Sequence, residues 1–280
     1  NSYSTITFGR FDDSPLLGDW NMDGYDEAGL FRNSTGTTPI FIFRNLNGTY
    51  WIANLTGSLN SDLPVIGDWD GDGRDTMGLY RSSTSTFRLR NSNTDGAADS
   101  LITFGIAGDL PVIGDWDGDG KDDVGVYRTG ASASSPATYY LRYSNGSFSS
   151  ILYGLSSYKP VIGDWDGDGR DTMASYNAPF STFRIRNTLS PGNQDAMLTF
   201  GVAGDIPLAG SITQSPSCTN ECTTSGAKQC SGNGYQTCGD YDADACLEWS
   251  SATTCPSGQT CSNGVCSGTI IKKDRVSVFR

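Results

Sequence analysis

Gly67-Asp68-Trp69-Asp70-Gly71-Asp72-Gly73 recurs without change at residues 114–120 and 163–169, and as Gly18-Asp19-Trp20-Asn21-Met22-Asp23-Gly24 nearer the start. The first aspartates, Asp19, Asp68, Asp115 and Asp164, are spaced 49, 47 and 49 residues apart. A fixed period of this length means an array of one supersecondary unit, each copy carrying its own knot of carboxylates. Working outward from the heptapeptide, the same elements follow in the same order. An apolar segment such as Pro64-Val65-Ile66-Gly67 leads into each loop. A strand such as Met77-Gly78-Leu79-Tyr80-Arg81 leaves it. A third segment, Phe87-Arg88-Leu89-Arg90 or Phe183-Arg184-Ile185-Arg186, alternates with period two, which puts its apolar residues on one face of a strand. A fourth, Leu101-Ile102-Thr103-Phe104-Gly105, returns as Met197-Leu198-Thr199-Phe200-Gly201.

Four strands in about 48 residues have the size of a β-propeller blade, whereas β-solenoid coils are shorter, about 20 to 30 residues. The expected fold is all-β. A propeller of four full blades and a partial one occupies residues 1–211, and a small disulfide-rich module occupies 212–267. Thr5-Ile6-Thr7-Phe8-Gly9 repeats the fourth strand before the first blade starts. Pro207-Leu208-Ala209-Gly210 opens a fifth unit, but Ser211 stands where its first aspartate should be. Lys273-Asp274-Arg275-Val276-Ser277-Val278-Phe279-Arg280 resembles Lys121-Asp122-Asp123-Val124-Gly125-Val126-Tyr127-Arg128 and reads as the second strand that this unit lacks. Residues 268–280 are therefore expected to complete a blade, either in the same chain or in a neighbouring subunit by strand addition.

In each loop the carboxylates stand at positions 1, 3 and 5, and a glycine at position 6 permits a sharp turn. Alternate oxygens on a short loop can wrap a calcium ion, with the carbonyl of position 7 pointing inward. The expected metal residues are Asp19, Asn21, Asp23, Tyr25 and Asp26; Asp68, Asp70, Asp72, Arg74 and Asp75; Asp115, Asp117, Asp119, Lys121 and Asp122; Asp164, Asp166, Asp168, Arg170 and Asp171. These loops resemble the Asp-x-Asp-x-Asp-Gly loops of FG-GAP and VCBS-type repeats, found in integrin α-chain propellers and many secreted microbial proteins. The resemblance covers roughly residues 5–211 and implies about four calcium ions. That family usually carries an acid at position 9, where this chain has Glu27, Thr76, Asp123 and Thr172. Position 8 is Asp in all four loops (Asp26, Asp75, Asp122 and Asp171) and is read here as the last ligand. A bare Asp/Gly turn is the alternative, but three or four carboxylates so close repel strongly unless neutralised. Trp20, Trp69, Trp116 and Trp165 at position 2 are expected to pack between blades rather than stack on a sugar.

Composition agrees. The formal charge of -12 argues against nucleic acid, which needs a basic face, and 17 of the 31 acidic residues belong to the loops. There is no histidine and there are only three glutamates, Glu27, Glu221 and Glu248, so the usual general bases are missing and no enzyme is expected. Asp12, Asp13, Asp62 and Asp205 remain as unassigned carboxylates for a glycosidase-type pair. All eight cysteines (Cys218, Cys222, Cys230, Cys238, Cys246, Cys255, Cys261, Cys266) fall within 49 residues, a disulfide framework of open connectivity formed in an oxidising compartment. Asp240, Asp242, Asp244 and Glu248 within it read as a solvated acidic turn. Sequons at Asn33, Asn47, Asn54 and Asn145 fit glycosylation. Asn1, not Met, stands first, as after removal of a secretion signal, and no apolar run reaches the ~20 residues of a membrane-spanning helix. The expected protein is a secreted, calcium-stabilised structural subunit, self-associating through residues 268–280. A carbohydrate-binding or adhesion module recognising surface glycans is the alternative.

Overall fold

The computed structural model describes residues 6–33, 36–211, 222–239, 247–256 and 259–267. The chain divides into two compact units, Asn1–Thr213 and Gln214–Arg280. No helix among the described residues is long and apolar enough to cross a membrane.

The larger unit holds four four-stranded antiparallel sheets, each a simple meander. The first comprises β1 (Ser14–Gly18), β2 (Glu27–Arg32), β3 (Ile40–Arg44) and β4 (Tyr50–Ala53). The second comprises β5 (Leu63–Gly67), β6 (Thr76–Arg81), β7 (Thr86–Leu89) and β8 (Ser100–Thr103). The third comprises β9 (Leu110–Gly114), β10 (Asp123–Arg128), β11 (Pro136–Arg142) and β12 (Phe148–Leu155). The fourth comprises β13 (Lys159–Gly163), β14 (Thr172–Asn177), β15 (Thr182–Arg186) and β16 (Ala196–Thr199). Every acidic loop joins a first strand to a second. The register pairs Gly18 with Glu27, Gly67 with Thr76, Gly114 with Asp123 and Gly163 with Thr172. Position 9 therefore lies at the base of its own loop.

The sheets stack face to face, and the period-2 pattern decides which side chains are enclosed. Phe87 and Leu89 are buried while Arg88 donates to the Gly57 carbonyl at 2.9 Å. Phe41 and Phe43 of the first sheet share a core with Met77 and Leu79 of the second. Tyr80 and Phe87 of the second meet Val124 and Val126 of the third, whose Tyr139 and Leu141 meet Met173 of the fourth. First strands approach closely at the glycine before each loop. A Cβ at Gly67 would lie 2.9 Å from Ile113 Cγ2, and one at Gly114 2.8 Å from Ile162 Cγ2. That proximity explains glycine at both positions.

A second recurring device locks the start of each sheet. Asp13, Asp62 and Asp109, in the turns before β1, β5 and β9, are buried. Each takes a two-pronged ion pair from the arginine ending the second strand: Arg32 at 2.7 and 2.7 Å, Arg81 at 2.8 and 2.7 Å, Arg128 at 2.8 and 2.8 Å. Asp13 and Asp62 are therefore not the unassigned carboxylates expected from sequence. The Arg32 guanidinium holds the Asp13 carboxyl below its usual range, against an opposing burial effect. A depressed carboxylate stabilises the fold above its unfolded pKa, and the gain disappears as pH falls through the lower folded value. Asp13→Asn should therefore cost about 1–3 kcal/mol at pH 6 and shrink in effect below pH ~3.5. Urea unfolding at pH 6 and pH 2.5 checks this, and an equal loss at both would refute it.

Two expected strands are not formed. Residues 6–8 and 207–210 make no ladder, and residues 201–206 are exposed. A first strand is fixed by the second strand beside it, and no described residue fills that place at 207–210. In the smaller unit, β17 (Lys228–Ser231), β18 (Gly234–Gly239), β19 (Glu248–Trp249) and β20 (Thr253–Thr254) form one sheet, and β21 (Thr260–Ser262) pairs β22 (Val265–Ser267). Disulfides join Cys222 to Cys238, Cys230 to Cys261 and Cys255 to Cys266. Cys218, Cys246, the acidic turn 240–244 and the segment 268–280 lie outside the described residues.

Candidate metal sites in the hairpin loops

The first aspartate organises each loop from within. In the second loop, Asp68 Oδ1 accepts the N–H groups of Gly71 and Asp72 at 2.7 and 3.2 Å, and Oδ2 accepts that of Gly73 at 2.8 Å. Asp72 in turn accepts the Arg74 N–H at 2.9 Å. The third loop repeats this around Asp115 at 2.7, 3.1 and 2.8 Å, and the fourth around Asp164 at 2.8, 3.2 and 2.9 Å. Such turns need a left-handed backbone at positions 4 and 6, supplied by Gly71 at φ 78° and Gly73 at φ 86°.

Folding the loops this way gathers carboxylates. Oxygens of Asp68, Asp70 and Asp72 lie within 4.8 Å of one another, as do those of Asp115, Asp117 and Asp119, and of Asp164, Asp166 and Asp168. The third loop adds Asp123 at position 9, pushed up to about 7 by burial and then by Asp117, Asp119 and Asp115. Asp117 Oδ1 and Asp123 Oδ2 are buried without a hydrogen-bond partner. All-oxygen donors, like charges held together and orphaned carboxylate oxygens fit a hard divalent cation.

The first loop differs. Asn21 donates to Glu27 Oε1 at 2.6 Å and to Asp23 at 3.1 Å, while Trp20 N–H reaches Glu27 Oε2 at 3.1 Å. An amide thus replaces charge at position 3, and Glu27 is pushed up to about 7, chiefly by burial. Met22 occupies a left-handed conformation, φ 67°, where the other loops carry glycine. Met22→Gly should therefore stabilise the fold by about 1 kcal/mol and raise the melting temperature in differential scanning calorimetry; an unchanged or lower value would contradict the strain.

Position 8 behaves otherwise than expected. Asp75 Oδ2 accepts the Asp19 N–H at 2.8 Å, Asp122 that of Asp68 at 2.8 Å, and Asp171 that of Asp115 at 3.0 Å, each across to the preceding sheet. Their own N–H groups return to the carbonyls of Asp19, Asp68 and Asp115 at 2.9, 2.8 and 2.9 Å. Asp26 N–H bonds the Ser211 carbonyl at 2.8 Å, so the same contact recurs between residue 211 and the first sheet. These four carboxyls line one cavity of about 460 Å³ rather than their own loops. Burial raises all four, Asp75 to about 7 and Asp171 to about 6. Position 8 ties sheet to sheet; position 9 faces the loop. The constant Asp at position 8 signals this role only once its bonds to the preceding loop are known.

Position 7 places Tyr25, Arg74, Lys121 and Arg170 after the turn, and the longer side chains lie over position 4 of the preceding loop. Arg74 Nη2 is 3.8 Å from Met22 Sδ. A Cβ at Gly71 would sit 3.0 Å from Lys121 Cε, and one at Gly118 3.1 Å from Arg170 Cγ. Trp20 and Trp116 are 2% and 1% exposed, which removes them as sugar-stacking surfaces; Trp69 and Trp165 border sheet cores, half-buried. Of the sequon asparagines, Asn33, Asn47 and Asn145 are exposed and Asn54 is half-buried. No family model, curated protein or solved structure matches the chain.

Proposed function

We propose that this chain is a secreted structural subunit: a calcium-stiffened β-propeller with an appended disulfide module, assembling with its own kind by strand addition. Three features support the propeller. Successive first strands are neighbours, each loop bonds the next sheet through position 8, and Ser211 carries that contact back to the first sheet. Calcium of the FG-GAP type is supported by the oxygen-only clusters at positions 1, 3 and 5. Position 9 completes the third loop in place of position 8. Extracellular residence is supported by the disulfides, which persist in oxidising compartments.

The observation that carries the assembly reading is the fifth position. Ala209 packs on the core of the fourth sheet, and Ser211 bonds the first. The rest of that unit finds no counterpart among the described residues. An unpaired edge beside exposed apolar residues invites a strand. Head-to-tail donation of that strand propagates into a filament. The loop tryptophans are engaged in or beside sheet cores, so the carbohydrate-binding alternative loses its natural platform. Sedimentation of the full chain with calcium against a chain ending at residue 267 tests the reading. Concentration-dependent assembly lost on truncation is expected; a wild type monomeric at every concentration would sink it.

A further inference from the structure

The fifth position is a strand receptor with four separate vacancies. Asp205 sits in the same turn as Asp13, Asp62 and Asp109, and like them accepts a local N–H, from Val202 at 2.7 Å. Those three are buried beneath an arginine; Asp205 is exposed with no ion pair among the described residues. In the fourth sheet both members change together, Tyr158 for Asp and Asn177 for Arg, and still meet at 3.4 Å. The second vacancy is at Asp164. Among the described residues its N–H and carbonyl lack the position-8 partner that Asp19, Asp68 and Asp115 each have. The third is at Gly167, where no described residue comes within 4 Å of the Cβ position, although a position-7 side chain covers the equivalent Gly71 and Gly118. The fourth is apolar. Second-strand residues Met77 and Leu79, Val124 and Val126, and Met173 each enter the preceding sheet's core. Beyond the fourth sheet, Ala209 alone among the described residues reaches its core, and a groove of about 570 Å³ opens beside Tyr176, Phe183, Pro207 and Leu208.

We infer that this receptor takes residues 273–280 of a second copy of the chain, in one defined register. Lys273 covers Gly167. Asp274 accepts the Asp164 N–H and returns its own to the Asp164 carbonyl. Val276 and Val278 enter the fourth sheet's core, and Ser277 supplies the small residue found as Gly78, Gly125 and Ala174. Phe279 takes the place of Tyr80 and Tyr127, and Arg280 forks onto Asp205. All eight residues of the segment fit the receptor or leave it undisturbed. Arg275, at position 9, stands where an acid would face its own loop, but Ser211 has already removed the acidic loop from this unit. Eight residues separate first from second strand in each complete sheet, against 64 between Gly210 and Arg275, 61 of them lying between Ser211 and Lys273. Those 61 include the disulfide-bonded unit, so the donor is released from its own first strand and can reach a neighbour.

This inference rests on the assembly reading, and a charge exchange separates the two. Asp205→Arg and Arg280→Asp are made in the full chain and sedimented with calcium, alone and mixed. Each variant alone should associate about 100-fold more weakly than wild type. Mixing them should restore assembly, because Asp205→Arg receives Arg280→Asp while the unaltered partners pair normally. Restoration also shows that both variants are folded. If both assemble like wild type, the receptor is wrong and assembly uses another surface. If wild type stays monomeric, carbodiimide coupling of Lys273 to Asp166 or Asp168 is performed in mixed light- and heavy-isotope chains. Coupling confined to single chains would assign the strand to its own sheet and overturn the second-copy donor.

Discussion

Calcium added to the chelated protein should raise the unfolding temperature of the larger, four-sheet unit by about 15 °C or more. On the proposed reading each loop with a complete carboxylate trio would bind in the folded state alone, because the trio exists only once Asp68, Asp115 or Asp164 has gathered its turn. Ligand at a hundredfold excess over Kd stabilises by about 2.7 kcal/mol per site, so three sites give about 8 kcal/mol. For a unit of this size, 1 kcal/mol moves the melting temperature by roughly 2–4 °C. Asp117→Asn removes one ligand charge and none of the bonds that shape the third loop, so it should remove about a third of the increment. Calorimetry in chelator and in calcium, with titration calorimetry for stoichiometry, measures both. A melting temperature indifferent to calcium would show that the clusters are only turns.

Trp116→Ala should destabilise by about 3–5 kcal/mol, the usual cost of deleting a buried Trp. Trp116 is 1% exposed and lies in one core with Val112, Tyr139, Leu141 and Met173, so its loss opens a cavity between the third and fourth sheets. Trp165, in the same position of the last loop, is only half-buried at the edge of a smaller core among the described residues. Trp165→Ala should cost less than half as much. Urea unfolding of both variants in calcium decides; equal losses would mean that the open face does not exist in solution.

The repeat itself was legible because its signals are local. Turn glycines, period-2 alternation in Phe87-Arg88-Leu89-Arg90 and the 47–49-residue spacing all act within one hairpin, and β5, β6, β7 and β8 lie where they were expected. Positions 1, 3 and 5 could be read for the same reason: a seven-residue turn leaves their carboxylates little freedom. The position-8 aspartates could not be. Their partners, the N–H groups of Asp19, Asp68 and Asp115, lie 54 to 56 residues away, and composition alone does not distinguish a metal ligand from an inter-sheet strut. Asp13 and Asp62 were misleading likewise, because each arginine partner is 19 residues on, at the far end of a strand.

By itself, then, the sequence determined the hairpin, the period and the acidic turn, since short-range sterics and alternation specify them without reference to the rest of the chain. Only the tertiary structure decided which acids hold sheets together and which gather as carboxylate clusters in the loops. It alone showed that the fourth sheet ends in an open groove, because burial and long-range hydrogen bonding arise only when separate hairpins are brought side by side.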